Sequence, residues 1–217
     1  MLDPNTVLRN LRAKNGSVRL AAAKTVQAEA FKESSKRGLA WLGNRRATTP
    51  LIALLDDPDP KVAEYAVMAL AEIARRYFKD DRAYPGIVRL LNSKAARTRS
   101  WAATAAIVLR GQRSLDDVLP LCRDRVKNVR HTALCSLCFL AMRRSSVGTA
   151  SRRKLQEAAI ISLGDAAFEV RMVAGNILRD VGAAAALHDL RRALAHERHE
   201  YPKESINNAI AAIERRQ

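Results

Sequence analysis

The chain is poor in the residues that build all-β and disulfide-stabilised folds. Its 217 residues include only 9 glycines, 7 prolines and 3 cysteines. So few glycines and prolines argue against a sheet with many tight turns, and three cysteines do not suggest a disulfide framework. Aromatic residues make up only 5% of the chain. Its core must therefore be built from aliphatic side chains.

Long apolar segments and catalytic motifs are also missing from the sequence. The longest nearly apolar run, 132–142, is far short of the roughly 20 residues that a membrane-spanning helix needs. Residues 1–12 are polar and charged, unlike a secretory leader. There is no glycine-rich phosphate loop, nucleophile elbow or His-x-x-x-His pair. We therefore expect a cytoplasmic, non-enzymatic protein that holds no metal and no cofactor.

Alanine, leucine and arginine, which all favour helix, dominate instead. The segment 51–76, LIALLDDPDPKVAEYAVMALAEIARR, shows how they are arranged. A short apolar helix precedes an acidic turn that contains proline, and a second, amphipathic helix follows. Its apolar face carries Val62, Ala66, Leu70 and Ile73, whose spacing places them along one helical stripe.

The stripe of the second helix recurs six times along the chain. Its first position is occupied by Val18, Val62, Thr98, Val129, Val170 and Ser205. Four residues later the chain has alanine every time: Ala22, Ala66, Ala102, Ala133, Ala174 and Ala209. Shorter apolar helices precede these second helices at 7–11, 51–55, 87–91, 118–122, 158–163 and 187–194. A small residue at a fixed helical position allows a neighbouring helix to approach closely.

One helix pair cannot bury its apolar stripe alone, whereas stacked pairs can. The pattern therefore predicts an all-α chain, a single α-solenoid over residues 1–217 with about six antiparallel helix pairs wound as a right-handed superhelix. The repeats are expected at about 4–34, 48–78, 84–111, 115–142, 152–181 and 183–216.

Local signals suggest where some helices begin. Pro50 and Pro60 are expected in the first turn of their helices, where the missing N–H is harmless. The spacing of Ser114 and Asp117 resembles a capping box. Pro120 falls inside a predicted helix and should bend that helix or shift its start.

The helix pairs resemble HEAT repeats, including the short HEAT-like repeats of bilin lyase relatives. That family places an Asp in the turn and an Arg six residues later, and these side chains form a ladder between adjacent repeats. Two turns contain both residues, Asp124 with Arg130 and Asp165 with Arg171. Two others keep only the Arg, at Arg19 and Arg99, and one keeps only the Asp, at Asp57. The resemblance implies a structural role for these residues and an interaction scaffold as the function.

The sequence is strongly basic, with a formal net charge of +16. Such a surface attracts polyanions, namely nucleic acid, an acidic membrane or an acidic protein face. Much of the excess lies in the stretches between repeats, which should share one edge of a solenoid. The candidate basic edge consists of Lys36, Arg37, Arg45, Arg46, Arg143, Arg144, Arg152, Arg153 and Lys154. Alternatively, some of the cations complement helix dipoles.

The second helices of the third and fourth repeats are apolar almost all round. Their candidate partner-binding patch consists of Trp101, Ile107, Val108, Leu134 and Phe139. Such a patch would suit a helix or peptide of a partner. The alternative is that the curvature of the superhelix buries these side chains.

Cys135 and Cys138, with His131 and Cys122 nearby, form the one pattern that resembles a zinc site. Structural zinc is usually held by four ligands gathered from turns or loops, whereas these residues lie on an apolar predicted helix. Free cysteine also packs as a small hydrophobic residue, so core packing is the preferred interpretation.

The leading functional hypothesis is a scaffold that binds an acidic protein partner. Nucleic-acid binding is the alternative, supported by the abundance of Arg and opposed by the shortage of aromatics for base stacking. A third hypothesis comes from DNA glycosylases built on HEAT-like repeats. Trp41 and Trp101 could supply their aromatic residues, but no Asp matches their catalytic residue.

Overall fold

The computed structural model describes residues 3–31, 41–143 and 147–217, which contain helices and no strand. None of the helices in these ranges is long and apolar enough to cross a membrane. The helices are α1 Pro4–Asn10, α2 Gly16–Phe31, α3 Arg45–Ala53, α4 Pro60–Arg76, α5 Tyr84–Leu90, α6 Ala96–Arg110, α7 Leu115–Val118, α8 Lys127–Ala141, α9 Thr149–Ser162, α10 Phe168–Val181, α11 Leu187–His196 and α12 Glu200–Glu214. The predicted all-α fold of helix pairs is confirmed.

The chain divides into two compact units, residues 1–110 and 111–217, called here the N-terminal and C-terminal units. In the N-terminal unit the second helices α2, α4 and α6 pack side by side. In the C-terminal unit α8, α10 and α12 do the same. Each unit is therefore a stack of helix pairs, as the repeating apolar stripe predicts.

The recurrent alanine of the second helices belongs to the core. All six of these residues are buried, from Ala22 to Ala209. α10 and α12 approach closely, because a Cβ added at Gly175 would collide with Ser205. Small residues thus set the distance between neighbouring helices, because any larger side chain there would push them apart.

The starts of several helices differ from the sequence-based expectations. Pro60 occupies the first position of α4, as predicted, and Asp59 caps the helix. Pro50, however, lies inside α3, which begins five residues earlier behind the cap residue Asn44. The Ser114 hydroxyl makes no cap and instead donates to the carbonyl of Gly111. Pro120 ends α7 early, and residues 119–123 continue as a 3₁₀ turn because proline cannot donate the α-helical hydrogen bond.

Candidate functional site

The Asp and Arg residues of the repeat turns connect successive helix pairs. Arg130 donates to both carboxylate oxygens of Asp165, with Nε–Oδ2 and Nη2–Oδ1 distances of 2.6 and 2.8 Å. Its remaining nitrogen, Nη1, donates to the backbone carbonyl of Asp124 at 3.0 Å. One guanidinium therefore fastens its own turn to the turn of the next pair. Bidentate pairing of this kind fixes orientation as well as distance.

The same geometry occurs where the sequence pattern is incomplete. Arg171 forms a bidentate pair with Glu197, at 2.6 and 2.8 Å, and Arg19 forms one with Asp57. The sequence pattern does not identify Glu197, because the acidic residue of the last turn is Glu and not Asp and does not lie at the position that the repeat predicts. Asp57 was identified without a partner because its Arg lies in the preceding repeat.

The carboxylates of these pairs have pKa values below their ordinary ones. Burial alone would raise the pKa of Asp165 and Asp57, but the facing guanidinium and a backbone N–H two residues later outweigh it and lower both values. The hydrogen bond from Arg171 lowers the pKa of Glu197 to about 2. All three carboxylates are occupied by their Arg partners, which favours a structural role over ligand binding.

Most side chains of the predicted apolar patch are buried or half-buried. Ile107 and Leu134 are buried core side chains, with exposed fractions of 4% and 0%, so they cannot contact a partner. Trp101 is half-buried and meets the Phe31 ring edge-on, at a centroid distance of 5.9 Å, and Val108 is half-buried too. For most of the patch, packing against neighbouring helices explains the apolar character.

An exposed apolar strip remains on α8 in the C-terminal unit. Phe139 is 51% exposed and Met142, just after the helix, is 63% exposed. Cys135, one turn before Phe139, is also exposed, and its Sγ lies 3.5 Å from His131 Nε2. These three residues, called the α8 strip, share one face because their spacing is four and three residues. The sequence analysis missed Met142, since it lies at the end of the helix and outside the apolar stripe.

The candidate basic edge is partly neutralised by carboxylates. Lys154 pairs with Asp116 at 2.5 Å, and Arg153 pairs with Glu157 at 3.1 Å. Arg152 is half-buried and donates to the carbonyl of Val147. The exposed members are Arg45, Arg46, Arg143 and Arg153, while Lys36, Arg37 and Arg144 lie outside the described residues.

Two of the three cysteines, Cys122 and Cys138, are buried or half-buried among packed side chains. Burial raises the pKa of Cys122 to about 12 and that of Cys138 to about 11, and it also raises the pKa of Cys135. The raised values favour the neutral thiol, the form in which cysteine packs as a small hydrophobic residue. Within residues 3–31, 41–143 and 147–217, no three His, Cys, Asp or Glu side chains are grouped in a way that could hold a metal ion.

Comparison with known proteins places the fold among helical repeats. Residues 48–138 match the model of HEAT repeats, which confirms the resemblance for that part of the chain. No curated protein matches the sequence.

Solved structures extend the likeness over nearly the full length. A designed armadillo repeat protein in complex with the peptide (KR)4 is 20% identical with a TM-score of 0.76, and the match covers 98% of this chain and 100% of that one. An engineered protein is 18% identical with a TM-score of 0.77, with 99% and 100% covered. At such low identity, the comparison establishes the α-solenoid fold alone.

Proposed function

We propose that this protein is a non-enzymatic, cytoplasmic scaffold that binds an acidic and partly apolar segment of a protein partner. The α8 strip carries the proposal, because Phe139 and Met142 expose large apolar surfaces one turn apart. Exposed apolar side chains grouped in this way are typical of interaction surfaces. A helix-repeat fold supports the same interpretation by analogy only.

The charge of the chain decides which kind of segment suits the strip. Exposed Arg143 directly follows Met142, and the whole chain has a net charge of +16. An amphipathic helix with one apolar and one acidic face would match both features. The designed armadillo neighbour holds a basic peptide. The opposite preference is proposed here, since a basic peptide would be repelled by this chain.

Fluorescence anisotropy with three labelled peptides tests the proposal. The first is a 16-residue helix with Leu on one face and Glu on the other; the second replaces Leu by Ser, and the third replaces Glu by Lys. We expect the Leu/Glu peptide to bind most tightly, because only this peptide matches both the apolar strip and the positive charge. Equal binding by the Ser/Glu peptide would contradict a role for the α8 strip.

Protein variants locate the binding surface. Phe139→Ser combined with Met142→Ser should weaken binding of the Leu/Glu peptide about tenfold, the equivalent of about 1.4 kcal/mol. Ile161→Ser is the matched control, because Ile161 on α9 is 53% exposed but lies outside the strip. A similar loss in both proteins would show general hydrophobic adsorption and contradict the proposal.

Nucleic-acid binding is the second candidate, favoured by the charge and by the predominance of Arg over Lys. A 20-base-pair DNA duplex and a single-stranded RNA, each titrated over a salt series, address it directly. Phosphate contacts would give a steep decrease of log affinity with log salt. A steep slope, together with no effect of the Phe139 and Met142 substitutions, would favour this candidate over a protein partner.

A further inference from the structure

A groove of about 520 Å³ separates the first helices α1 and α3 in the N-terminal unit. Three arginines project from its walls, Arg9 and Arg12 on the α1 side and Arg46 on the α3 side. The other lining residues are Asn5, Leu8, Asn10 and Ala13. Leu8 is a buried member of the lining, so the groove combines apolar surface with three cations.

Two of these guanidinium groups are held in place by neutral acceptors. Arg46 Nη2 donates to Asn5 Oδ1 at 3.1 Å, and Arg9 Nη2 donates to Thr6 Oγ1 at 3.4 Å. Among the described residues, no carboxylate lines the groove. Asp3, on the same side of the unit, accepts from Thr6 and from the Asn5 amide as the cap of α1. Asp3 partly offsets the charge of Arg9, with which it interacts electrostatically, and the three arginines leave the groove with a net positive charge.

Other junctions between first helices in the described structure are compensated. In the N-terminal unit, Arg89 of α5 pairs with Asp56, which follows α3, at 2.6 Å. In the C-terminal unit, the groove between α7 and α9 is lined by as many carboxylates as cations, Asp116 and Glu157 with Arg123 and Lys154.

The groove between α9 and α11 is balanced in the same way. Its cations are Arg171, Arg192 and Arg198, and its carboxylates are Asp165, Asp189 and Glu197. The α1–α3 groove thus differs from the α7–α9 and α9–α11 grooves, in which cations and carboxylates are equal in number.

We infer that the α1–α3 groove binds a compact phosphorylated ligand, that is, a phosphate or diphosphate group on a small molecule. Guanidinium groups recognise phosphate oxygens through paired hydrogen bonds. Arg46 lines the groove from α3, and Arg9 of α1 and Arg12 of the following turn line its other side, so a tetrahedral group can accept from both walls. A planar carboxylate is satisfied by one bidentate arginine and would leave the others unused.

The size and isolation of the groove favour a small ligand over a nucleic-acid backbone. Its volume falls in the usual range of small-molecule sites, about 300–1,000 Å³. A nucleic acid needs a continuous track of cations, whereas the neighbouring α3–α5 junction is neutralised by the pair of Arg89 and Asp56. This inference is independent of the proposed protein partner, because none of its residues belongs to the α8 strip.

Calorimetric titration of the full chain with pyrophosphate at low ionic strength tests the inference. Arg9→Gln combined with Arg46→Gln should weaken binding at least tenfold, since it removes one cation from each wall. The matched control is Arg113→Gln combined with Arg125→Gln, which removes the same charge from exposed positions in the C-terminal unit. Circular dichroism spectra and melting curves of all the variants verify that folding is retained.

Citrate, a carboxylate of comparable charge, separates phosphate recognition from attraction of any anion. The inference expects pyrophosphate to bind at least tenfold more tightly than citrate. It also expects the control variant to bind pyrophosphate like the unmodified chain. Equal affinity for citrate, equal losses in both double variants, or no loss in the Arg9 and Arg46 variant would each overturn it.

Discussion

The guanidinium of Arg19 donates two hydrogen bonds to the carboxylate of Asp57, which lies 38 residues later in the sequence, with Nε–Oδ2 and Nη2–Oδ1 distances of 2.6 and 3.0 Å. Its Nη1 donates to the carbonyls of Ala13 and Lys14. Within its own repeat each of these residues lacks the expected partner. The two residues pair with each other across the junction between their repeats. The Arg–carboxylate pattern therefore describes a contact between two repeats and not a feature of a single repeat.

Loss of one partner should destabilise the C-terminal unit strongly. In the pair of Arg130 and Asp165, the side chains are only 17% and 10% exposed. Asp165→Ala should lower the free energy of unfolding by about 2–4 kcal/mol, because it leaves a largely buried guanidinium without its counter-ion. Urea unfolding followed by circular dichroism measures the change.

A double-mutant cycle and an exposed control make that prediction specific. Arg130→Ala with Asp165→Ala should show a coupling energy of at least about 1 kcal/mol. Lys127→Ala should change stability by less than about 0.5 kcal/mol, although Lys127 also joins α8 to α10 through Glu169. Equal effects at Lys127 and Arg130 would contradict the structural importance assigned to the buried pair.

Acid should weaken the junction between α10 and α12 within a defined pH range. The hydrogen bond from Arg171 lowers the pKa of Glu197 from 4.5 to about 2 in the folded chain. A lowered pKa stabilises the fold above pH 4.5, and this contribution disappears as the pH falls toward 2, where the folded state must also take up the proton.

The variant Glu197→Gln isolates this effect from the other carboxylates. It should be less stable than the unmodified chain at pH 7, and the difference should shrink steadily between pH 4.5 and pH 2. Melting temperatures measured over that range provide the comparison. A difference that stays constant with pH would exclude the ion pair as its source.

The sequence predicts the spacing of helices better than it predicts surfaces. Alanine at a fixed place in six second helices predicts close packing, and burial of residues such as Ala133 confirms it. Helical periodicity is local, so it is visible in one sequence. The partner of Arg171 could not be predicted in this way, because Glu197 lies 26 residues later in a turn of different length.

Burial on the second face of a helix is equally hard to predict. Leu134 and Phe139 both fall outside the inner stripe of α8 in the sequence pattern. In the structure Leu134 is fully buried and Phe139 is half-exposed. Neighbouring helices decide which of them is covered, and their positions are set by contacts distant in sequence.

Those two residues should respond differently to truncation. Leu134→Ala should lower the free energy of unfolding by about 2–5 kcal/mol, because it creates a cavity in the core. Phe139→Ala should change stability by no more than about 1 kcal/mol, since half of its surface is already in water. Parallel urea titrations of both variants test the contrast. A large loss for Phe139→Ala would mean that its ring supports the fold and would weaken its assignment to a binding surface.

Substitution of glycines should reveal where the helices approach most closely. At Gly175 of α10, an added Cβ would collide with the side chain and backbone of Ser205 on α12. Gly175→Ala should therefore lower the free energy of unfolding by about 1–3 kcal/mol through overpacking, even though alanine favours helix over glycine by about 1 kcal/mol.

Gly164→Ala is the control, because Gly164 is exposed and an added Cβ there would lie 3.6 Å from the nearest atom, the carbonyl oxygen of Ile161. Thermal and urea unfolding should show a loss at Gly175 and little change at Gly164. A stabilised Gly175→Ala would mean that α12 can move away without penalty, contrary to the tight packing that the small residues of the stripe imply.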